Sequence, residues 1–268
     1  MSKKPVIGVT EPSSFTDDCI STIENFFGAN PLKLCGNVKE DIEEWVDQCV
    51  GVILAGGIDI HPQTYGYAVL NDYGFTKFDH KRDLREIHII NRCLEKDIPM
   101  LGICRGHQML GVFHGLDLVP DLTGTLVCHQ PQKQQIAYRK DEPMHWVRLI
   151  DGADEFQPDG AKKSILCHPI SRDANYLWVN SFHHQGLAFT PNEERVDAIG
   201  FAPGHKDERI IELMKGINHR WISCQWHPEY DWTENPSSKM VLEKFRDLMN
   251  GETLQRVSFP KPSKSKKN

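Results

Sequence analysis

Short apolar runs that stop at glycine, each followed by a segment with helical apolar spacing, govern the chain as far as Gly115. Residues 5–10 (PVIGVT) read as a first buried strand. Residues 51–54 (GVIL) form another, stopped by Ala55-Gly56-Gly57. Residues 79–96 place Leu84, Ile87, Ile90 and Leu94 on one helical face. Residues 99–103 are again strand-like, and residues 106–113 read as a helix ending near Gly115. A chain that alternates this way buries its strands on both sides. The expected fold class is therefore α/β: a mostly parallel sheet with helices on both faces.

The second half has a different rhythm. From residue 119 to about residue 170 the chain is rich in Gln, Asp, Pro and Lys. Residues 144–150, 176–180, 187–190, 196–202, 209–215 and 221–226 read as strands joined by short turns, so antiparallel pairing is expected. Residues 236–249 close as a helix. We expect one domain over residues 1–250, followed by a basic tail (251–268) too rich in Pro, Ser and Lys to fold.

At 268 residues the chain can bury a large core without disulfide or metal staples. Its formal charge is −6, which argues against a general nucleic-acid surface. The basic start lacks a signal peptide's apolar run, and no stretch is long enough to span a membrane. The eight cysteines include no CxxC pair, so mostly free thiols and a cytoplasmic location are expected. Cys128-His129 and Cys167-His168 lack regular zinc-ligand spacing and are not assigned to a metal.

The most informative segment is MLGICRGHQMLG, residues 100–111. It holds G-x-C-x-G as Gly102, Cys104 and Gly106, following an apolar strand and opening a helix. That is the arrangement of a nucleophile elbow. The turn is sharp and strained, so side chains two residues to either side would collide. It also places the Cys104 thiol at a helix N-terminus, where free N–H groups and the dipole favour a thiolate. The Arg105 N–H would face a developing oxyanion.

A thiol nucleophile requires a base. Thirteen histidines make a base easy to find, so context must choose among them. Residues 221–232 (WISCQWHPEYDW) end a strand with His227-Pro228-Glu229. In an extended segment His227 and Glu229 would point the same way, letting the carboxylate fix the ring's tautomer.

GICRGHQ (102–108) and QWHPE (225–229) resemble the two signatures of class I glutamine amidotransferase domains. GVILAGGIDIHPQTYG (51–66), the Asp79, Arg82, Asp83 and Glu86 segment, and VNSFHHQG (179–186) resemble the gamma-glutamyl-gamma-aminobutyrate hydrolase branch. The resemblance spans about residues 6–249. It implies a flavodoxin-like doubly wound, mostly parallel sheet with an additional small antiparallel sheet. It implies Cys104 as nucleophile, His227 as base and Glu229 as orienter, with Gly57 and Arg105 N–H groups as the oxyanion hole. It implies that Gln108, Ser181, Phe182, His183 and His184 contact the substrate. On the residues alone, His183 and His184 could equally be ordinary polar loop residues. Arg82, Asp83 and Glu86, one helical turn, read as structural ion pairs.

The implied reaction cleaves a γ-glutamyl amide through a cysteinyl thioester and needs no metal or organic cofactor. The partner is then a small γ-glutamyl molecule. Two alternatives stay open: a glutaminase subunit serving a separate synthetase, and a non-catalytic binder on the same fold. Retention of all three triad residues argues against the binder. Self-association stays open too. Cys104→Ala is expected to abolish turnover while leaving the circular dichroism spectrum unchanged; residual wild-type turnover would refute the elbow assignment.

Overall fold

A computed structural model describes residues 3–10, 16–35, 39–66, 77–130, 140–157, 176–190, 194–204 and 208–256. Most of the basic tail, Cys167-His168 and much of the polar middle segment lie outside them. The first half runs β1 (Val6–Thr10), α1 (Thr16–Asn25), β2 (Asn30–Leu34), α2 (Lys39–Asp47), β3 (Gly51–Leu54), α3 (His80–Lys96), β4 (Met100–Ile103) and α4 (Arg105–Phe113). It continues with β5 (Leu118–Val119), β6 (His145–Leu149), β7 (Tyr176–Val179), β8 (Gly186–Ala188), β9 (Asp197–Pro203), β10 (Arg209–Lys215) and β11 (Trp221–Cys224). Helices α5 (Pro228–Asp231) and α6 (Pro236–Met249) end it.

Strands β2, β1, β3, β4 and β11 lie side by side and parallel, in that order. This is the flavodoxin-like order, reached when the last parallel strand arrives late in the chain. Strands β1, β3, β4 and β11 are almost wholly buried runs, as a sheet covered on both sides requires. Helices α2, α3 and α4 pack on one another in series, while α5 joins α1 to α6.

The expected antiparallel strands are present, and they extend the same sheet. Strand β10 runs antiparallel to β11, then β9, β6 and β7 follow. A short branch, β8 with β5, also pairs with β10. A register shift in β10 between Ile211 and Leu213 marks a bulge at Glu212.

Helix α3 begins where expected, with the Asp79 side chain accepting from the Arg82 N–H at 3.1 Å. Its buried face differs from the expected one. Leu84 is 48% exposed, whereas Arg82, Asp83, Arg85 and Glu86 are buried with Ile89, Ile90 and Cys93. The apolar spacing mispredicted the phase because this helix turns charged residues inward, where they find one another.

Helix α4 crosses the sheet very closely. A Cβ on Gly106 would run into the carbonyl of Leu54 on β3, so only glycine lets the helix start there. Gly106→Ala is expected to cost about 1–3 kcal/mol in urea unfolding, the usual penalty for overpacking a filled interior.

Candidate active site

The carboxyl ends of three adjacent parallel strands, β3, β4 and β11, bring the expected site residues together, as the doubly wound geometry predicts. Cys104 follows β4 directly and has φ 51° and ψ −104°, a strained backbone for a residue with a side chain. The strain is held by its surroundings. The Cys104 N–H donates to Cys224 O on β11 at 2.9 Å, and its carbonyl accepts from the Gln108 N–H at 3.1 Å. A Cβ at Gly102 would sit 2.8 Å from the Gly106 carbonyl and 2.9 Å from Ser223 Cβ. Both flanking glycines are thus sterically required. As the first residue of α4, Arg105 has an N–H with no carbonyl in a preceding turn to meet.

His227 sits at the start of α5. Its N–H donates to Asn180 Oδ1 and its carbonyl accepts from Asn180 Nδ2, both at 2.9 Å. The ring's Nδ1 lies 2.8 Å from Glu229 Oε1. The pairing is as expected, but the backbone is not. Residues 228–231 form a helical turn, so the two side chains meet around its N-terminus and not along a strand. Tyr230 stacks on the imidazole at 4.7 Å between centroids and 6° between planes, and Phe182 meets its edge at 5.8 Å.

Burial alone would strip the His227 ring of its charge. The Glu229 carboxylate and the Cys104 sulfur, a hydrogen-bonding neighbour, outweigh that and push the ring up to about 10. The folded value lies above the unfolded one. The pair therefore stabilises the fold fully below the ordinary histidine range and loses that contribution as pH rises toward about 10.

The loop after β3 completes the site. A Cβ on Gly56 would lie 2.9 Å from His227 Cε1 and 3.7 Å from Cys104 Cβ, so this backbone lies against the thiol and ring. Ala55 N–H donates to Thr10 Oγ1 at 3.0 Å. Arg82 Nη2 donates to Ala55 O at 2.9 Å and Gly56 O at 3.0 Å. In the planar trans peptide, a Gly56 carbonyl held on the Arg82 side turns the Gly57 N–H the opposite way. A Cβ at Gly57 would strike the guanidinium.

Arg82 Nε also bonds Glu86 at 2.9 Å. The Arg105 side chain, 1% exposed, pairs with both Glu86 and Asp83. Asp83 accepts in addition from His61 N–H at 2.8 Å and Thr64 Oγ1 at 2.9 Å. Burial opposes a charged Glu86, but Arg105 and Arg82 overcome it and hold the carboxyl below its usual range. The structural reading of Arg82, Asp83 and Glu86 agrees with this geometry. Arg105 was singled out only for its N–H, and its side chain belongs to the same network.

The other expected contacts divide. Gln108 is buried, with Nε2 committed to Gln185 O at 3.0 Å and Gln225 Oε1 at 3.2 Å. Ser181 is buried and donates to His129 O. Of the 181–184 segment, Phe182 touches the His227 ring. The His183 ring turns inward, Nδ1 toward Gln185 O at 2.8 Å and Nε2 toward Glu212 at 3.6 Å. His184 is half-buried and pairs with both oxygens of Asp59 at 3.1 Å. This hydrogen bond raises the His184 pKa. An open cavity of about 560 Å³ lies beside it, bounded by residues 122–130, His183 and His184. Asn180 lies in the 179–186 segment but was given no role there, and Tyr230 was not anticipated; its adjacency to Glu229 in sequence was the available signal.

A sharp cysteine elbow facing a His–Glu pair on this strand order defines the class I glutamine amidotransferase type of α/β domain. The chain belongs to the Peptidase C26 family, which it matches over residues 4–229. It is 29% identical to the gamma-glutamyl-gamma-aminobutyrate hydrolase PuuD of Escherichia coli, covering 81% of this chain and 80% of that one. It is 32% identical to protein NtpR of Enterococcus hirae, covering 80% and 81%. The fold is similar to the glutaminase domain of Trypanosoma brucei CTPS, with TM-score 0.54, 11% identity and coverage of 94% and 96%. Family and relatives support a hydrolase or glutamine amidotransferase-like function.

Replacing Glu229 by Gln removes the largest influence that raises the His227 pKa, so the ring should titrate at lower pH than in the wild type. Imidazole NMR signals followed through pH 6–11 check this; an unmoved titration would show that Glu229 does not govern the ring's charge.

Proposed function

We propose that the chain hydrolyses a γ-glutamyl amide of a small amine through a Cys104 thioester, with residues 1–250 as the catalytic unit. The observation that carries this reading is the strained Cys104 elbow beside a His227 ring whose Nδ1 lies 2.8 Å from Glu229 Oε1. A thiolate attacks the γ-carbonyl, and the N–H groups of Gly57 and Arg105 receive the tetrahedral oxyanion. His227 passes its proton to the leaving amine. It then takes a proton from water, which attacks the thioester and releases glutamate.

The substrate contacts are assigned by where each side chain ends. Phe182 walls the pocket against the His227 ring. Gln108 and Ser181 act as positioning residues, since their polar atoms fasten the Gln185 and His129 backbones. The cavity bounded by residues 122–130, His183 and His184 takes the amine, with the Asp59–His184 pair at its edge. Its volume suits a small molecule. The relative named for gamma-glutamyl-gamma-aminobutyrate hydrolysis supports the same substrate class.

Glutamate release by the isolated chain should be fast from γ-glutamyl-γ-aminobutyrate and slow from glutamine, with Cys104→Ala as the blank. Silence on both substrates with an intact fold would favour a glutaminase that works only with a synthetase partner. Glutamate release undiminished in Cys104→Ala would overturn the thioester route.

A further inference from the structure

Four buried side chains outside the Cys104–His227–Glu229 set face one another: His129, His145 on β6, His183 after β7, and Glu212 at the β10 bulge. One ligand atom from each lies within 4.8 Å of every other. We propose that His129, His145, His183 and Glu212 form a structural site for a divalent transition metal, with zinc the best fit.

The argument starts from where the protons are. His183 Nδ1 is 2.8 Å from Gln185 O, His145 Nδ1 is 3.2 Å from Trp146 O, and His129 Nε2 is 3.4 Å from Pro203 O. A carbonyl can only accept, so each of these nitrogens carries the ring proton. The opposite nitrogen of each ring then offers a lone pair. All three lone pairs point at the Glu212 carboxylate: Oε1 is 3.4 Å from His129 Nδ1, 3.6 Å from His183 Nε2 and 3.9 Å from His145 Nε2. Those three nitrogens and both carboxylate oxygens have no hydrogen-bond partner among the described residues.

Lone pairs facing a carboxylate repel unless a cation sits between them.

The geometry suits that cation. Metal–nitrogen and metal–oxygen bonds of about 2.0–2.2 Å in a tetrahedron put neighbouring ligand atoms roughly 3.3–3.6 Å apart. Two of the three Glu212 separations fall in or near that span, and the third pair and the ring nitrogens, all within 4.8 Å of one another, would draw in on the ion. The N3O donor set fits Zn2+ and its first-row neighbours better than Ca2+ or Mg2+, which prefer all-oxygen shells. A backbone carbonyl behind each ligating ring is the usual outer support of such a site. Four protein ligands, all buried, leave no open position for substrate, which marks a structural role.

Such a metal would join the 129 segment, β6, the loop after β7 and β10. The same loop carries Asn180, which clamps the His227 backbone, and Phe182, which packs on its ring. The site therefore braces the catalytic base from behind and is independent of which amide is cleaved.

The test uses full-length protein in the Cys104→Ala background, stripped with a chelator and shown by circular dichroism to be folded. Titration with Co2+ should produce the intense visible absorption of a tetrahedral site, without a thiolate charge-transfer band, saturating at about one metal per chain. Zn2+ should bleach that absorption and raise the unfolding midpoint. His145→Gln and Glu212→Gln should lose the absorption. If either variant fails to fold, the Co2+ titration of the parent decides alone. A folded parent with no visible band would overturn the proposal. So would a thiolate band, or an unchanged spectrum in a folded His145→Gln variant.

Discussion

The buried chain of charges Arg82–Glu86–Arg105–Asp83 is the constraint on which the rest of the site depends. Each member would be costly alone in the interior, and removing one would strand another. The network spans three elements. Arg82 grips the carbonyls of Ala55 and Gly56 after β3, and Arg105 opens the helix that follows Cys104. The two peptide groups proposed to meet the oxyanion are thereby tied to one rigid set of carboxylates on α3. Preorganised donors of this kind need no rearrangement when charge develops.

Strain and support are matched at Cys104. The residue adopts a backbone shape that L-residues avoid, yet neighbours fix it on every side: β11 through a hydrogen bond, β3 through the Gly106 contact, and α4 through the Gln108 N–H. The strain keeps the buried sulfur beside the His227 ring.

The elbow and the His227–Glu229 pair were legible in sequence because each is local: glycines flank the cysteine, and Glu229 follows His227 by two. Even so, the pair meets around a helical turn and not along a strand. Strand-by-strand reading worked where burial is continuous, as in β3, β4 and β10. It passed over α1, β2 and α2, and two of these show why. The buried face of α1 mixes Thr16 and Thr22 with Cys19 and Ile23, while edge strand β2 contains Pro31 and an exposed Lys33. The face of α3 was misphased because hydropathy cannot foresee buried charges that pair. The inward turn of His183 was hidden for another reason: its companions arrive from three distant segments, and only the sheet brings them together.

Registry between β4 and β11 carries a wider consequence. Ile103 lies opposite Cys224, so the thiol follows β4 by one residue and the imidazole follows the neighbouring β11 by three. The sheet then acts as a ruler, since strands sit about 4.8 Å apart whatever the loops do. Segments at the rim can lengthen, shorten or change composition without altering the spacing between sulfur and ring. A scaffold gauged in this way lets recognition drift while its chemistry stays in place, so relatives can share this apparatus while differing widely around it.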